Sequence, residues 1–582
     1  MKSPKSIYIS INGKKLKTEK GKSILEVAQN AGIEIPSLCF HPDLEVKAVC
    51  RMCVVEIKGK RGLFTACSTK VEDGMEVMTD SLEIRRARKV NLELIFSQHR
   101  EECPDCIWSF NCQLFKLARE YNVKITRFAD RKTNYPLFQF GPAINFDSSK
   151  CIDCQNCVEA CEKYAVSFLE IKEKGHMFQV VPAKSGEKDC IYCGQCIVHC
   201  PVGAFEAVGE FEEIETPLKE KDKIVIFQFA PAIRSSIGEE FGLPYGKVVT
   251  GKLVAGLRAL GAHKVFDVSV GADFTTTEET NEVIEKAKKQ KGLSSVLCFS
   301  SCCPSWVKFV EFYYPEFIPN MSTTRPPHII LGGLIKTYFA KKENIDPKKI
   351  IVVSIMPCTA KKYEIERQEL KIDGLKPVDY VLTTRELAFL FIKHKIDLKK
   401  IKPEKPDSPL GVPSGAGVIY GASGGVMESA LRTIYKKLTN KRLTKIDFKQ
   451  VRGQEGIKKA EIEIGGKKIK VAIANGIQNA KKILEELKAN PRAYNFVEVM
   501  ACPGGCIGGG GQPVPANSKI RKERAAALYQ IDSKKDQRVA HENPIVKKLY
   551  KDYLTDKKTI EAICHTKYSQ KKKGKNKIMK SN

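Results

Sequence analysis

The chain has 582 residues, a formal net charge of +29, 42% hydrophobic and 28% charged residues; it is too long for one core and too apolar for a disordered chain, so several folded domains are expected. Its longest apolar runs, such as IIVVSIM at 350–356, fall far short of a membrane span, and MKSPKSIYISINGK lacks the continuous apolar stretch of a secretory leader. A cytoplasmic location is expected, where thiols stay reduced, so the 22 cysteines read as metal ligands rather than disulfides.

In chain order, residues 6–13 (SIYISING) predict a strand ending in a turn at Asn12-Gly13, and KSILEVAQNAG predicts a short helix after it. Fifteen of the 22 cysteines fall in the first 200 residues, which points to small cluster-binding modules ahead of a larger body. The charged stretches 82–92 and 211–223 (FEEIETPLKEKDK) read as linkers, the second dividing front from body. From 224 onward, apolar runs (IVIFQF, KVFDVSV, SSVLCF, IIVVSI, VDYVL, KVAIAN, FVEVM) alternate with amphipathic stretches such as TNEVIEKAKK and NAKKILEELKA. That alternation predicts an α/β domain of mainly parallel sheets flanked by helices, whose ligands gather beyond the carboxyl ends of the strands. KYSQKKKGKNKIMK reads as a solvated, disordered tail.

Four cysteine groups occupy the front. Cys39, Cys50, Cys53 and Cys67 are spaced C-x10-C-x2-C-x13-C; one close pair with two distant partners suits a [2Fe–2S] cluster, with structural zinc as the rival. His99, Cys103, Cys106 and Cys112 follow as H-x3-C-x2-C-x5-C. A [4Fe–4S] cluster with one imidazole ligand competes there with a zinc site of three thiolates and one imidazole, and His99 alone would read as a surface histidine. CIDCQNCVEAC (151–161) and CIYCGQCIVHCP (190–201) both carry C-x2-C-x2-C-x3-C. In two-cluster ferredoxins the fourth cysteine of each run crosses to the other cluster. One [4Fe–4S] centre is thus expected on Cys151, Cys154, Cys157 and Cys200, and a second on Cys190, Cys193, Cys196 and Cys161. Bound clusters are anionic and cancel part of the basic charge; the remainder suits an acidic redox partner. Nucleic acid is disfavoured, because no aromatic-interleaved basic motif is present.

In the body, SSCCPSW (300–306), MPCTAKKYE (356–364) and EVMACPGGCIGGGGQP (498–513) follow apolar runs, where the strand-end rule places a site. Cys303, Cys358, Cys502 and Cys506 would make a fifth four-ligand set, here all thiolate, with glycines that admit a bulky inorganic group and Lys361 beside it to pair with an anionic ligand. Core cysteines and a helix-packing glycine run would leave this clustering unexplained.

These three segments resemble the signatures of the [FeFe]-hydrogenase catalytic domain, and the front modules resemble those of the larger monomeric members. The resemblance spans nearly the whole chain. It implies a [2Fe–2S] β-grasp domain (1–81), a [4Fe–4S] domain with one histidine and three cysteine ligands (82–140), a ferredoxin-like 2[4Fe–4S] domain (141–212), a catalytic domain (222–516) and a small-subunit-like segment with its Lys-rich tail (517–582). It further implies an H-cluster, in which the Cys506 thiolate bridges a [4Fe–4S] cluster to a two-iron subsite with carbonyl, cyanide and azadithiolate ligands installed by maturation enzymes. Lys361 matches a cyanide-contacting lysine, Met356 and Met500 match methionines near the two irons, and Pro231 and Ala232 match the segment at the other cyanide. With Cys303 as ligand, Cys302 faces the substrate side and is expected to exchange protons there. Glu279 and Glu282 share a helix face. They read equally as dipole-complementing acids or as a proton relay, and the family's path, with Ser322 between them, favours the relay. Pro326, Pro327 and His328 depart from the family's usual Ser-Pro-Gln, and His328 is an added candidate proton carrier. Cys298 and Cys564 are left as free, buried thiols. Reversible conversion of two protons and two electrons to H2 is thereby implied, with ferredoxin as electron carrier. The rival within the family is a subunit of a multi-subunit NAD(P)-linked complex, whose [2Fe–2S] modules SLCFHPDLEVKAVCRMCVVE resembles; no dinucleotide fingerprint stands in this chain. A non-catalytic iron–sulfur relative is expected to lack the relay or part of the ligand set.

Overall fold

The computed structural model describes residues 6–100, 103, 106–108, 112–124, 127–128, 136–174, 177–184, 186, 188–290, 292, 295–441, 447–454, 456–572 and 577–579. In the first module the strand Ser6–Ile11 turns its isoleucines inward. Asn12 and Gly13, both at positive φ, close a hairpin onto a second strand, Lys14–Glu19, before the helix Ile24–Asn30 begins. That second strand has no apolar alternation strong enough to be predicted. Ser23 and Glu26 form a capping box at the helix start. The sheet is completed by Glu76–Met78, parallel to the first strand, then Val54–Ile57 and Phe64–Thr65.

Both expected linkers are helices. Residues 82–92 belong to Leu82–Phe96, capped by Ser81, and residues 211–219 form Phe211–Lys219. Their charge lies mostly on outer faces, which is why they resemble connecting chain. Arg88 and Glu93 are exceptions: both are buried, and the Arg88 guanidinium donates to the Met52, Val54 and Thr79 carbonyls at 3.0, 2.9 and 3.1 Å. This helix is thereby fastened to the first module.

The double-run cysteines sit on a ferredoxin-like unit of Leu137–Phe140, Ile144–Asp147 and Phe205–Ala207 with the helices Asn156–Tyr164 and Gln195–Val198. The lysine-rich tail departs from expectation here too. Residues 577–579 pair antiparallel with Leu137–Phe140, and the Lys571 amide donates to the Glu311 carbonyl. Backbone pairing needs no apolar side chain, so a basic composition did not reveal it.

The body contains two four-stranded sheets. In one, Lys264–Asp267, Ile224–Phe229, Ile350–Met356 and Tyr380–Thr383 are all parallel. In the other, Cys298–Phe299, Phe496–Met500 and Lys467–Asn475 are parallel and Ile457–Ile464 is an antiparallel edge. Two runs, SSVLCF (strand only at Cys298–Phe299) and KVFDVSV, yield shorter strands than their apolar length predicts. KVFDVSV stops at Asp267, whose carboxylate accepts from the Ser269 amide at 2.9 Å and caps the helix Val268–Lys289. Every residue from Val268 to Thr280 is buried, so the first half of that helix has no amphipathic pattern to read. The carboxyl ends of Ile224–Phe229, Ile350–Met356, Cys298–Phe299 and Phe496–Met500 lead into Pro231, Cys358, Cys302 and Cys502, and both sheets therefore deliver loops to one place. Helices Ser518–Ser533, Pro544–Asp552 and Lys557–Cys564 then pack on the body. Arg524 is fully buried there and donates to Glu239 and to the Ile507 and Pro513 carbonyls.

Candidate active site

The loops enclose a cavity of ≈ 70 Å³ between the two sheets. Cys303, Cys358, Cys502 and Cys506 line it together with Cys302, Met356, Met500, Pro231, Ala232, Lys361 and His328. Every body residue singled out in the sequence for a cluster pocket is thus in one place. The four thiols are electrostatic neighbours of one another, and burial pushes them up, Cys506 to about 12. A buried set of mutually repelling thiols is poorly placed alone and well placed around a cation or cluster. Gly509 makes room for this closure, since a Cβ there would meet the Pro357 carbonyl oxygen at 2.1 Å.

Lys361 is buried with its ammonium 3.1 Å from the Cys302 carbonyl and 2.7 Å from Glu364 Oε2. Burial opposes its charge, but Glu364 outweighs that and holds its pKa above the ordinary lysine value. The same carboxylate oxygen lies 2.5 Å from His328 Nε2, while His328 Nδ1 lies 3.3 Å from Ser354 Oγ. Burial, with the Lys361 charge, pushes the His328 imidazole down to about 4. At neutral pH it is an uncharged donor to Glu364, which suits positioning better than proton carriage. The sequence reading passed over Glu364, although its i,i+3 spacing from Lys361 is a readable pairing signal.

Glu279 and Glu282 lie well inside Val268–Lys289, not in its first turn, so the dipole explanation fails. Burial and the nearby Glu282 and Glu498 charges push Glu279 up to about 8. Ser322 stands beside both acids: its hydroxyl lies 2.9 Å from Glu282 Oε2, and it is near enough to Glu279 to oppose part of that acid's raised pKa. Glu279 in turn is felt electrostatically at Cys302, at the cavity wall. Cys298, fully buried, neighbours Glu282, Glu279 and Lys286, and Cys564 is buried beside Glu278 and Arg325. Glu498, another acid not anticipated, is fully buried, accepts from the Gly424 and Met427 amides at 2.7 Å each, and is raised to about 7 by burial.

In the front, the cysteines within each expected group lie near one another. Cys39 is an electrostatic neighbour of Cys50, Cys53 of Cys67, and Cys67 of all three others. His99 Nδ1 donates to the Lys150 carbonyl at 2.8 Å, which in the neutral ring places the lone pair on Nε2. Cys112 neighbours Cys103 and Cys200, and Cys106 neighbours Cys112. Cys200 neighbours Cys154 and Cys157, while Cys161 neighbours Cys190, Cys193 and Cys196, the crossed arrangement the spacing predicts. His41 and His199 bring their ring centroids to 4.4 Å, with Asp43 close by. His41 Nδ1 accepts the Asp43 amide, leaving its proton on Nε2, and Asp43 pairs with Arg521. That trio joins modules and is not laid out as an ion site.

Among family models, one described as iron only hydrogenase large subunit, C-terminal domain, matches residues 223–510. Others match a 2Fe-2S iron-sulfur cluster binding domain (4–81), the NADH-ubiquinone oxidoreductase-G iron-sulfur binding region (88–127), a 4Fe-4S dicluster domain (150–204) and an iron hydrogenase small subunit (518–571). The chain is 39% identical to the NADP-reducing hydrogenase subunit HndD of Solidesulfovibrio fructosivorans over 94% of its own length and 96% of that protein's. It is 38% identical to iron hydrogenase 1 of Clostridium pasteurianum over 97% and 100% of the two. A solved [FeFe]-hydrogenase from Chlamydomonas reinhardtii superposes with a TM-score of 0.55 at 36% identity, covering 62% of this chain and 98% of that one.

Proposed function

The chain belongs to the iron-only [FeFe]-hydrogenase family, and from that premise we propose how its own residues carry out the interconversion of H2 with protons and electrons. It is an oxidoreductase that acts on hydrogen, with 2Fe-2S and 4Fe-4S binding domains ahead of an H-cluster domain. The observation that carries the residue-level reading is the convergence of Cys303, Cys358, Cys502 and Cys506 with Lys361 and Cys302 on one buried cavity at the strand ends.

The donor set fits the H-cluster: four thiols for a cubane, a buried ammonium for an anionic ligand, and apolar walls from Pro231, Ala232, Met356 and Met500. When bound, that cluster supplies the electrons and the metal at which dihydrogen is made or split. The residues do the rest. Glu364 and His328 fix the Lys361 ammonium against the cavity. Cys302 exchanges protons with the reacting centre, and Glu279, Ser322 and Glu282 pass them outward. A raised Glu279 pKa supports this role, since an acid near neutrality both takes and gives a proton readily.

Cys39, Cys50, Cys53 and Cys67 would hold one [2Fe–2S] cluster. Three [4Fe–4S] clusters would be held by His99, Cys103, Cys106 and Cys112; by Cys151, Cys154, Cys157 and Cys200; and by Cys190, Cys193, Cys196 and Cys161. The last of these sets would hold the cluster that exchanges electrons with the cavity, since Cys502 Sγ lies 3.8 Å from the Cys193 carbonyl oxygen. We take the domains as 1–81, 82–140, 141–212, 222–516 and 517–582, and the setting as cytoplasmic, on the reduced state expected of the 22 cysteines. Among the described residues no helix is long and apolar enough to cross a membrane. Ferredoxin, an acidic carrier, is the partner favoured by the +29 charge. A second reading, a subunit of an NAD(P)-linked assembly, is favoured by the likeness to the NADP-reducing hydrogenase subunit and by the match at 88–127. The non-catalytic alternative is disfavoured by the complete ligand set and the intact relay. Anaerobically matured protein is assayed for H2 evolution from reduced ferredoxin and, separately, for NADP reduction by H2 with and without co-purified subunits. Evolution from ferredoxin alone supports the first reading; activity that requires another subunit supports the second; neither activity in a competent maturation system refutes both.

A further inference from the structure

Glu282, the outer acid of the relay, is contacted from two further directions. Lys286 Nζ lies 2.7 Å from its Oε1. Thr323 donates its amide to Oε2 at 2.9 Å and brings its hydroxyl to 3.3 Å from the same oxygen. The Thr323 hydroxyl is also 2.9 Å from His565 Nδ1, and His565 Nε2 is 3.0 Å from Glu278 Oε2. His565 follows the helix Lys557–Cys564 of the C-terminal segment, and its side chain is 21% exposed against 11% for Glu282. An imidazole that reaches solvent is thus hydrogen-bonded, through one hydroxyl, to the end of the acid chain.

We propose that His565, acting through Thr323, is a port by which the relay exchanges protons with water. This rests on the relay of Cys302, Glu279, Ser322 and Glu282 described above. Lys286 is the obvious alternative, but its ammonium is held above the ordinary lysine value by Cys298, Glu282 and Glu279 despite burial. A lysine so placed keeps its proton and serves to steady the Glu282 charge, whereas the His565 ring has two nitrogens, one bonded to the Thr323 hydroxyl and the other to Glu278, so it can take a proton at one and release one at the other. In the inward step the imidazolium passes its Nδ1 proton to the Thr323 oxygen as the Thr323 hydroxyl proton moves to the Glu282 carboxylate. His565 is left neutral, its Nε2 keeping its proton and donating it as a hydrogen bond to Glu278, and Nδ1 takes up a proton from water to restore the imidazolium. The outward step is the reverse.

The other groups about the ring fit this use. Glu278 faces Nε2, kept below its usual range by His565 and Tyr550 in opposition to burial, and it also accepts from Tyr550 and Asn281. The Lys437 ammonium is near Glu278, the buried Cys564 thiol precedes His565, and Arg325 donates to the His565 carbonyl at 2.6 Å. Arg325 thereby anchors the backbone without engaging the ring.

The test uses matured full-length His565→Gln, His565→Gly and Thr323→Val, each first checked for carbonyl and cyanide infrared bands and for reducible accessory clusters. His565→Gln and Thr323→Val are expected to lose about tenfold or more of H2 turnover near neutral pH, with a larger solvent deuterium isotope effect and an altered pH profile. Added imidazole is expected to restore turnover to His565→Gly and not to Thr323→Val. The infrared carboxyl band of protonated Glu282, assigned with Glu282→Gln, is expected to shift in His565→Gln even in unmatured protein. Turnover of His565→Gln at the parent level with an unchanged isotope effect overturns the port, as does a His565→Gly loss that imidazole does not restore. If Glu282→Gln also turns over at the parent level, the relay itself is wrong, a result separable from failure of the port alone.

Discussion

Gly510 lies so close to Gly194 that a Cβ on Gly510 would stand 2.4 Å from the Gly194 Cα. Gly194 follows Cys193 in the second ferredoxin run, and Gly510 follows the cavity ligands Cys502 and Cys506. Two backbones therefore meet with no side chain between them at the junction of an accessory-cluster loop and a catalytic-cluster loop. Thr359 Oγ1 donates to the Tyr192 carbonyl at 2.7 Å and Gln195 Nε2 to the Gly508 carbonyl at 3.0 Å, clamping the junction on either side.

A methyl group at that junction is the first test of the electron route. Gly510→Ala is expected to force the loops apart and destabilise the fold by about 1–3 kcal/mol. H2 evolution driven through the accessory clusters should fall, while infrared bands of the catalytic centre persist. Rapid-mixing measurement of the rate at which the catalytic centre is reduced checks this; an unchanged rate removes the contact from the route.

Cys302→Ser keeps the cavity shape but replaces a thiol by a far weaker acid. Turnover is expected to drop by about 10²–10⁴-fold, the range for loss of a positioned proton donor, with carbonyl and cyanide bands retained. A viologen-linked H2 assay beside the infrared spectrum decides between this and a purely structural thiol.

Glu279 links function to stability through pH. Its folded pKa, about 8, lies above the unfolded value of 4.5. The folded state therefore binds more protons, and the associated stability is fully present below the unfolded pKa and lost as pH rises through 8. Glu279→Gln removes that loss, so its thermal midpoint should gain on the parent protein between pH 5 and pH 9, by an equivalent of at most about 5 kcal/mol. Its H2 turnover should fall over the same range. A pH-independent difference in midpoint contradicts the raised pKa.

These tests rely on features of unequal visibility in the sequence. Ligand runs such as CIDCQNCVEAC are local: spacing alone places three thiols of a cluster, and the crossing of Cys161 and Cys200 follows from having two runs. The helix Val268–Lys289 was half hidden because burial on every side erases periodicity. The helices at 82–96 and 211–219 were mistaken for linkers because their charged outer faces dominate the composition. Contacts such as His565 with Glu278 join residues 287 positions apart and leave no local trace. Glu364 stands in MPCTAKKYE three residues after Lys361, a spacing that places the carboxylate beside the ammonium on one helix face.

That counter-charge carries its own prediction. Burial alone would raise Glu364, yet Lys361 and His328 hold it below the usual carboxylate range. Glu364→Ala leaves a buried ammonium unpaired, which costs about 3–5 kcal/mol. Less two-iron subsite should be retained after maturation, read as lower carbonyl and cyanide band intensity per protein. Parent-level stability and band intensity together contradict the positioning role of Glu364.

The central claim is that the cavity of Cys303, Cys358, Cys502 and Cys506 makes and splits H2. The direct measurement is anaerobic maturation followed by an infrared spectrum and viologen-linked H2 evolution on the same sample. Carbonyl and cyanide bands together with H2 evolution, both lost in Cys506→Ala, are the predicted result. Absent bands, or full bands without H2 evolution, when a control hydrogenase matures and turns over in parallel, would contradict it.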